Sequence, residues 1–150
     1  MKFVDWDIVF QEVPDEVTLA INISACPHRC TGCHSPHLWE DIGEPLTEET
    51  IDEWLMRYAS VTCVGLMGGD ADIEAVCRMA RYIRQKGKKV AWYTGYACLP
   101  ADFPIADFDY IKTGPYIQTL GGLRSARTNQ RFYKIVAGQM QDETVRFQQR

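Results

Sequence analysis

The residues best suited to chemistry lie together near the start of the chain, in the stretch ISACPHRCTGCHSPHLW at residues 23–39. This stretch holds three cysteines and three histidines, and it follows directly on the apolar run VTLAIN. Thiolates and imidazoles bind soft and borderline metals, and closely spaced thiols also carry out redox chemistry. The stretch therefore predicts a metal site or a thiol redox site in a loop that follows a strand.

The spacing of the cysteines narrows the choice of metal. They are arranged as Cys26-x-x-x-Cys30-x-x-Cys33, with no fourth cysteine nearby. A structural zinc site requires four ligands, so one of the three histidines would have to complete it. A [4Fe-4S] cluster prefers thiolates, and three of them leave one iron open to a substrate. We favour the cluster over zinc and over a purely redox thiol loop.

The elements that must position this loop follow from hydrophobic periodicity. Amphipathic helices are predicted at residues 47–59, with Thr47 as N-cap, and at residues 72–87, with Gly87 as the C-cap glycine. Strands and helices alternate through the middle of the chain, which predicts right-handed crossovers and a mainly parallel sheet. The predicted strands are residues 3–10, 17–23, 61–67, 88–94, 108–113 and 131–136.

Polar or glycine-rich loops follow three of these strands. They are residues 26–33, 68–70 and 94–96, and we expect them to converge at the carboxyl edge of the sheet, where ligands bind in folds of this class. Gly68 and Gly69 allow close approach of the backbone to a ligand, and Asp70 can accept a hydrogen bond from a cationic group. Either Asp70 or Asp72 could instead cap the following helix; we assign the cap to Asp72 and the ligand to Asp70.

The cysteine spacing and its place after a strand resemble the radical S-adenosylmethionine superfamily, whose signature is Cys-x-x-x-Cys-x-x-Cys. The resemblance implies that Cys26, Cys30 and Cys33 hold a [4Fe-4S] cluster. The open iron then chelates the amino and carboxylate groups of S-adenosylmethionine. Where that superfamily has Gly-Gly-Glu at the end of its second strand, this chain has Gly-Gly-Asp at residues 68–70, with the shorter carboxylate.

Five segments together resemble the activating enzymes of anaerobic (class III) ribonucleoside-triphosphate reductases. In chain order they are CPHRCTGCHSPHLW, LMGGD, VAWYTGY, DYIKTGPYI and TNQRFYKI. The resemblance implies one radical S-adenosylmethionine domain over residues 1–150, folded as an incomplete, TIM-like (β/α) barrel. The chain departs from that family at QEVPDEV, where Asp-Gly-Pro-Gly is common, and at residues 126–128, where Gly-Ser-Ser is common.

The same resemblance implies an oxidoreductase activity and its partners. A reduced cluster passes one electron to the sulfonium, which splits into methionine and a 5′-deoxyadenosyl radical. That radical removes a hydrogen atom from a glycine Cα of the partner reductase, and a flavodoxin or ferredoxin supplies the electron. Thr94 is expected to contact the ribose and Lys112 the methionine carboxylate, although Lys112 could equally be an exposed lysine at a strand end.

Three other functions remain open at this stage. The chain could activate another glycyl radical enzyme, act on a small molecule, or serve as a zinc-stapled interaction module without chemistry. The roles of His28, His34 and His37 stay open, as does that of the basic segment from Arg124 to Arg131. Cys63, Cys77 and Cys98 stand alone, and the position of Cys77 on the apolar stripe of its helix indicates core packing.

Composition and charge limit the partners and the cellular location that we expect for this protein. The net charge is −4 and the basic residues are scattered, so we expect no nucleic-acid partner. No apolar run reaches membrane-spanning length, and the first residues lack the pattern of a signal peptide. We therefore expect a cytoplasmic protein of a single domain, without a membrane partner.

Overall fold

The computed structural model of the chain describes residues 1–148, which form one eight-stranded sheet with two α-helices on it. The strands are β1 (Lys2–Val9), β2 (Thr18–Ile23), β3 (Glu44–Pro45), β4 (Cys63–Met67), β5 (Lys89–Tyr93), β6 (Tyr110–Thr113), β7 (Arg131–Val136) and β8 (Gln139–Asp142). The helices are α1 (Glu48–Arg57) and α2 (Ile73–Gln85), and short 3₁₀ helices lie at Pro36–Trp39, Ile105–Asp107 and Thr144–Phe147. Within residues 1–148, no helix has the length and apolar character needed to span a membrane.

The prediction of an incomplete TIM-like barrel with a mainly parallel sheet is wrong. The strand order is β3-β1-β2-β4-β5-β6-β7-β8. Pairing is parallel between β2 and β4, β4 and β5, and β5 and β6, and antiparallel at the other four contacts. The sheet is therefore mixed, and in the described part of the chain only two α-helices lie against it.

The connections explain the mixed sheet. Parallel strands need a long crossover, whereas antiparallel neighbours can be joined by a tight turn. Crossover helices occur only before β4 and before β5, and the connection from β5 to β6 contains a single 3₁₀ turn. Strands β7 and β8 are joined by Ala137 and Gly138, whose φ angles of 52° and 75° match the two positive φ values of a type I′ hairpin. Strands β7 and β8 consequently pair antiparallel.

The local predictions are confirmed. All six predicted strands form, and both helices begin and end close to the expected residues. The Thr47 hydroxyl accepts from the Thr50 N–H at 3.2 Å, and Asp72 Oδ1 accepts from the Ala75 N–H at 3.2 Å, so both residues cap their helices. Gly87, with a φ of 79°, follows the end of α2. Strands β3 and β8 are short and polar and were not predicted.

Both faces of the sheet are covered. On the helix side, Trp92 is completely buried and stacks on Phe103 at a centroid distance of 5.2 Å. Cys77 packs in the same cluster, as its helical spacing predicted. A smaller cluster on the opposite face consists of Val13, Cys63, Ala91, Tyr110, Phe132 and Phe147. Each large apolar side chain buried in this way contributes about 1.5 to 3 kcal/mol.

A buried carboxylate ties together the amino ends of the parallel strands. Glu16, only 7% exposed, accepts hydrogen bonds from the hydroxyls of Tyr110 at 2.6 Å and Thr62 at 2.8 Å, and from the ammonium of Lys89 at 2.9 Å. Burial raises the pKa of Glu16, but these donors outweigh it and bring the pKa below the usual value of 4.5. Glu16 therefore stabilises the fold in its ionised form.

We predict that Glu16→Gln lowers the free energy of unfolding at pH 7 by about 1.5 to 3 kcal/mol, the range for hydrogen bonds to a charged group. Because the folded pKa lies below the unfolded one, this contribution is complete above pH 4.5 and disappears as the pH falls through the folded value. Urea denaturation at several pH values would measure it. The exposed Glu12→Gln should change stability by less than about 0.5 kcal/mol. A loss at Glu16 that is equal at all pH values would contradict the linkage.

Candidate metal centre

Three loops meet at the carboxyl ends of β2, β4 and β5, as the sequence predicted. These strands are parallel neighbours that end at Ile23, Met67 and Tyr93. The cysteine loop follows β2, the Gly-Gly-Asp segment follows β4, and Thr94 begins the loop after β5. The fold thus brings the candidate site residues to one edge of the sheet.

The cysteine loop is closed at its base by backbone hydrogen bonds. The N–H of Ala25 donates to the carbonyl of Glu40, and the N–H of Cys26 donates to the carbonyl of Leu38, each at 2.9 Å. The 3₁₀ helix at Pro36–Trp39 forms the returning arm. The intervening residues therefore project from a fixed base as one closed loop.

Left-handed backbone conformations bend this loop sharply. Ala25, Arg29 and Gly32 have φ angles of 61°, 48° and 77°. For a residue other than glycine this conformation costs roughly 1 to 2 kcal/mol, and such costs concentrate at functional sites. The Cβ of any larger residue at Gly32 would lie 3.0 Å from the side chain of Gln118, so the loop also packs against the connection between β6 and β7.

The three thiols of the loop are unpaired and partly buried. Burial raises the pKa of the Cys26 thiol, while the backbone N–H groups of His28 and Arg29 act in the opposite direction. The sulfur of Cys33 accepts a longer hydrogen bond, 3.4 Å, from the N–H of Ser35. Backbone N–H groups directed at sulfur are typical of thiolates that hold iron-sulfur clusters.

The three thiols of the loop are the type of donor that an iron-sulfur cluster prefers. Within residues 1–148, no three side chains of His, Cys, Asp or Glu converge closely enough to hold a single ion. In a [4Fe-4S] site each cysteine binds a different iron, so the sulfurs need not converge on one point. Three soft thiolate donors on one closed loop therefore fit such a cluster.

Asp70 lies beside the cysteine loop and is almost completely buried, with 5% exposure. Its Oδ2 accepts three hydrogen bonds, from His28 Nε2 at 2.5 Å, from the Thr94 hydroxyl at 2.9 Å and from the Gly95 N–H at 2.8 Å. Its Oδ1 is also buried but has no hydrogen-bond partner among the described residues. One carboxylate oxygen is saturated, and the other has room for a donor that residues 1–148 do not supply.

Gly68 and Gly69 are required by the packing of the protein itself. Their φ angles are 117° and 93°, which only glycine adopts without strain. A Cβ on Gly69 would lie 2.5 Å from a methyl of Val76, and one on Gly68 would lie 3.1 Å from the carbonyl oxygen of Ile23. The carbonyl of Gly68 also accepts from the indole N–H of Trp92 at 2.8 Å. A ligand contact of these glycines stays a prediction.

Lys112 is half-buried and is not an exposed lysine at a strand end. Its ammonium donates to the carbonyls of Thr94 at 3.1 Å and Gly114 at 3.0 Å. Burial lowers the pKa of Lys112 to about 8, although the negative charges of Asp70, Cys30 and Cys26 act in the opposite direction. The ammonium thus lies within electrostatic range of the thiols and of Asp70.

His28 contacts Asp70, and it is the residue of this site whose role the sequence left undecided. Its position in the spacer between two cysteines, opposite the loop that carries Asp70, is the one signal that could have indicated it. The other two histidines are exposed, and the ring of His34 contacts Tyr116 at 5.3 Å. Arg124, from the basic segment, donates to the Gln11 side chain at 2.8 Å and lies outside these contacts.

Comparison with known families agrees with this geometry. Residues 17–102, more than half of the chain, match the family model described as a 4Fe-4S single cluster domain. The chain belongs to this family. This iron-sulfur protein thus has the [4Fe-4S] cofactor that its cysteine spacing predicted, and the matched segment includes the cysteine loop and Asp70. Neither a curated protein nor a solved structure matches the chain.

Proposed function

We propose that this iron-sulfur protein is a radical S-adenosylmethionine activase. It would cleave S-adenosylmethionine reductively and install a glycyl radical on an anaerobic ribonucleotide reductase. The observation that carries the proposal is the buried carboxylate of Asp70, with one unpartnered oxygen, beside a loop of three free thiols. The order of the five segments along the chain supports the choice of partner.

Cys26, Cys30 and Cys33 would hold the cluster. Three thiolates are too few for its four irons, so one iron would be open to the ligand. When bound and reduced, the cluster supplies the electron that splits the sulfonium into methionine and the 5′-deoxyadenosyl radical that takes a hydrogen atom from glycine. The closed base of the loop supports a role in keeping these thiols at a constant distance from the loops after β4 and β5.

Asp70 would bind the ammonium of S-adenosylmethionine. A buried carboxylate oxygen without a donor is unfavourable by about 1 to 3 kcal/mol, and more when charged, so a cationic ligand that supplies the donor gains that energy on binding. Such a bond is charge-assisted and therefore stronger than a neutral one. The unpartnered Oδ1 and the saturated Oδ2 support this assignment.

Lys112 would pair with the carboxylate of the same ligand. A pKa of about 8 leaves most of the side chain protonated at pH 7, so the ammonium carries the charge that a carboxylate requires. The acidic groups that act on the Lys112 pKa are Asp70, Cys30 and Cys26, which supports binding of a zwitterionic ligand between Lys112 and Asp70. The Thr94 hydroxyl already donates to Asp70, and its contact with the ribose stays a prediction.

The activity is tested by mixing the anaerobically reduced protein with S-adenosylmethionine and the anaerobic ribonucleotide reductase of the same organism. We expect a glycyl doublet in electron paramagnetic resonance and one 5′-deoxyadenosine for each radical formed. The donor is a flavodoxin, a ferredoxin or a chemical reductant. Cleavage without a doublet on the reductase, but with one on another glycyl radical enzyme, would show that the partner is different.

The cluster ligands are tested by replacing single cysteines. Cys26→Ala, Cys30→Ala and Cys33→Ala should each abolish cleavage of S-adenosylmethionine and lower the iron content, because each removes a thiolate that the chain cannot replace. Cys98→Ala is the matched control, since Cys98 is exposed and lies outside the loop. Iron and sulfide analysis after anaerobic reconstitution measures the effect. An active cluster in the Cys30 variant would exclude this residue as a ligand.

The role of Asp70 is tested with a pair of similar substitutions. Asp70→Asn should weaken S-adenosylmethionine binding by about 1.5 to 3 kcal/mol, because the hydrogen bond to the ammonium loses its charge. Asp72→Asn should leave binding unchanged, because asparagine is as good a helix cap as aspartate. Calorimetry on the cluster-loaded proteins measures both. Equal affinities for the two variants would contradict the assignment.

A further inference from the structure

We infer that His28 is a positioning residue that joins the cysteine loop to Asp70 and thereby keeps Asp70 Oδ1 available to a cationic ligand. The inference rests on the proposed function, because the ligand concerned is S-adenosylmethionine. It adds a residue of the cysteine spacer, and a glycine on the neighbouring loop, to the machinery that holds this ligand.

The contact between His28 and Asp70 is short and shielded from water. The distance from His28 Nε2 to Asp70 Oδ2 is 2.5 Å, and the side chains are 17% and 3% exposed. An ionised carboxylate can only accept hydrogen bonds, so the proton of this contact is carried on Nε2. A hydrogen bond to a charged and buried group is among the stronger interactions available to a side chain.

The His28 ring is also fixed on its other sides. The ring of Tyr96 meets it edge-on, at 4.7 Å and 81°. A Cβ on Gly95 would lie 2.6 Å from His28 Cδ2, closer than any such contact can be. Gly95 is not in the left-handed region, so glycine is required there for space and not for backbone conformation. The loop after β5 is therefore shaped around this imidazole.

His28 thus links the cysteine loop to the loop that carries Asp70. It lies in the spacer between Cys26 and Cys30, and its side chain holds the carboxylate of Asp70 through Oδ2. Together with Thr94 and the N–H of Gly95 it saturates Oδ2, so rotation of the carboxylate would break three hydrogen bonds. These bonds hold the free oxygen in place, and the one from His28 is the only one of the three that comes from the cysteine loop.

The experiment measures the dissociation constant of S-adenosylmethionine by calorimetry on cluster-loaded protein, with iron content determined for each sample. His28→Ala should weaken binding about tenfold, or about 1.4 kcal/mol. His28→Gln should recover most of the affinity, because an amide N–H reaches the same oxygen. His37→Ala is the matched control, since His37 is an exposed histidine of the same loop, and it should bind as the wild type does.

Gly95→Ala tests the same contact without altering the cysteine loop, which matters if His28→Ala loads its cluster poorly. The added methyl displaces the imidazole, so affinity should again fall about tenfold. In the His28→Ala background, Gly95→Ala should lower the affinity for S-adenosylmethionine by less than about twofold, because the ring that the methyl would contact is absent. Non-additivity of this kind distinguishes a shared contact from two independent structural effects.

The outcomes separate the inference from the proposed function. If the cluster-loaded wild type binds S-adenosylmethionine but the His28 and Gly95 variants bind it equally well, the inference is overturned and the proposed function stands. Additive losses, or a glutamine variant no better than alanine, would likewise overturn the positioning role. If the loaded wild type binds no S-adenosylmethionine, the proposed function and the inference fall together.

Discussion

A carboxylate that is almost wholly removed from water must find donors, and the three donors to Asp70 come from two separate segments of the chain. The donors are a ring from the cysteine loop, a hydroxyl at the end of β5 and a backbone N–H one residue further on. Neither of these segments is a neighbour of Asp70 in sequence. The need to compensate one buried charge therefore determines how the cysteine loop lies against the sheet, and most of the site geometry follows from it.

The regular elements were predictable because their signals are local. Apolar periodicity located the central strands and both helices, and the cap at Asp72 was recognisable from its position alone. The overall architecture was harder to predict from the sequence. Whether a strand pairs parallel or antiparallel depends on the length and conformation of its connection, and the polar sequence QMQD of β8 carries no strand signal. The alternation of strands and helices predicted the parallel centre of the sheet. The incomplete barrel implied by the family resemblance was wrong, and the antiparallel flanks were not predicted.

The candidate site likewise has a part that the sequence predicted and a part that it did not. Three cysteines with fixed spacing are visible in any sequence, and so is a Gly-Gly-Asp segment after a strand. The sequence does not reveal the contact of His28 with Asp70 or the space that Gly95 leaves for the ring. Both arise from the tertiary structure, and His28 and Asp70 are separated by 42 residues. Gly69 is a position where the sequence suggested the wrong reason for a glycine. We expected it to allow close approach of a ligand, but in the structure the missing Cβ leaves room for a methyl of Val76.

The position of the Glu16 network separates the polar contacts that hold the sheet from those that form the candidate metal centre. Glu16 and its donors lie at the amino ends of the parallel strands, at the opposite edge of the sheet from the cysteine loop. The main polar anchor of the sheet is thus independent of any metal. The hydrogen bonds of Glu16 therefore hold the parallel strands together at one edge of the sheet, and none of them needs a cluster at the other edge.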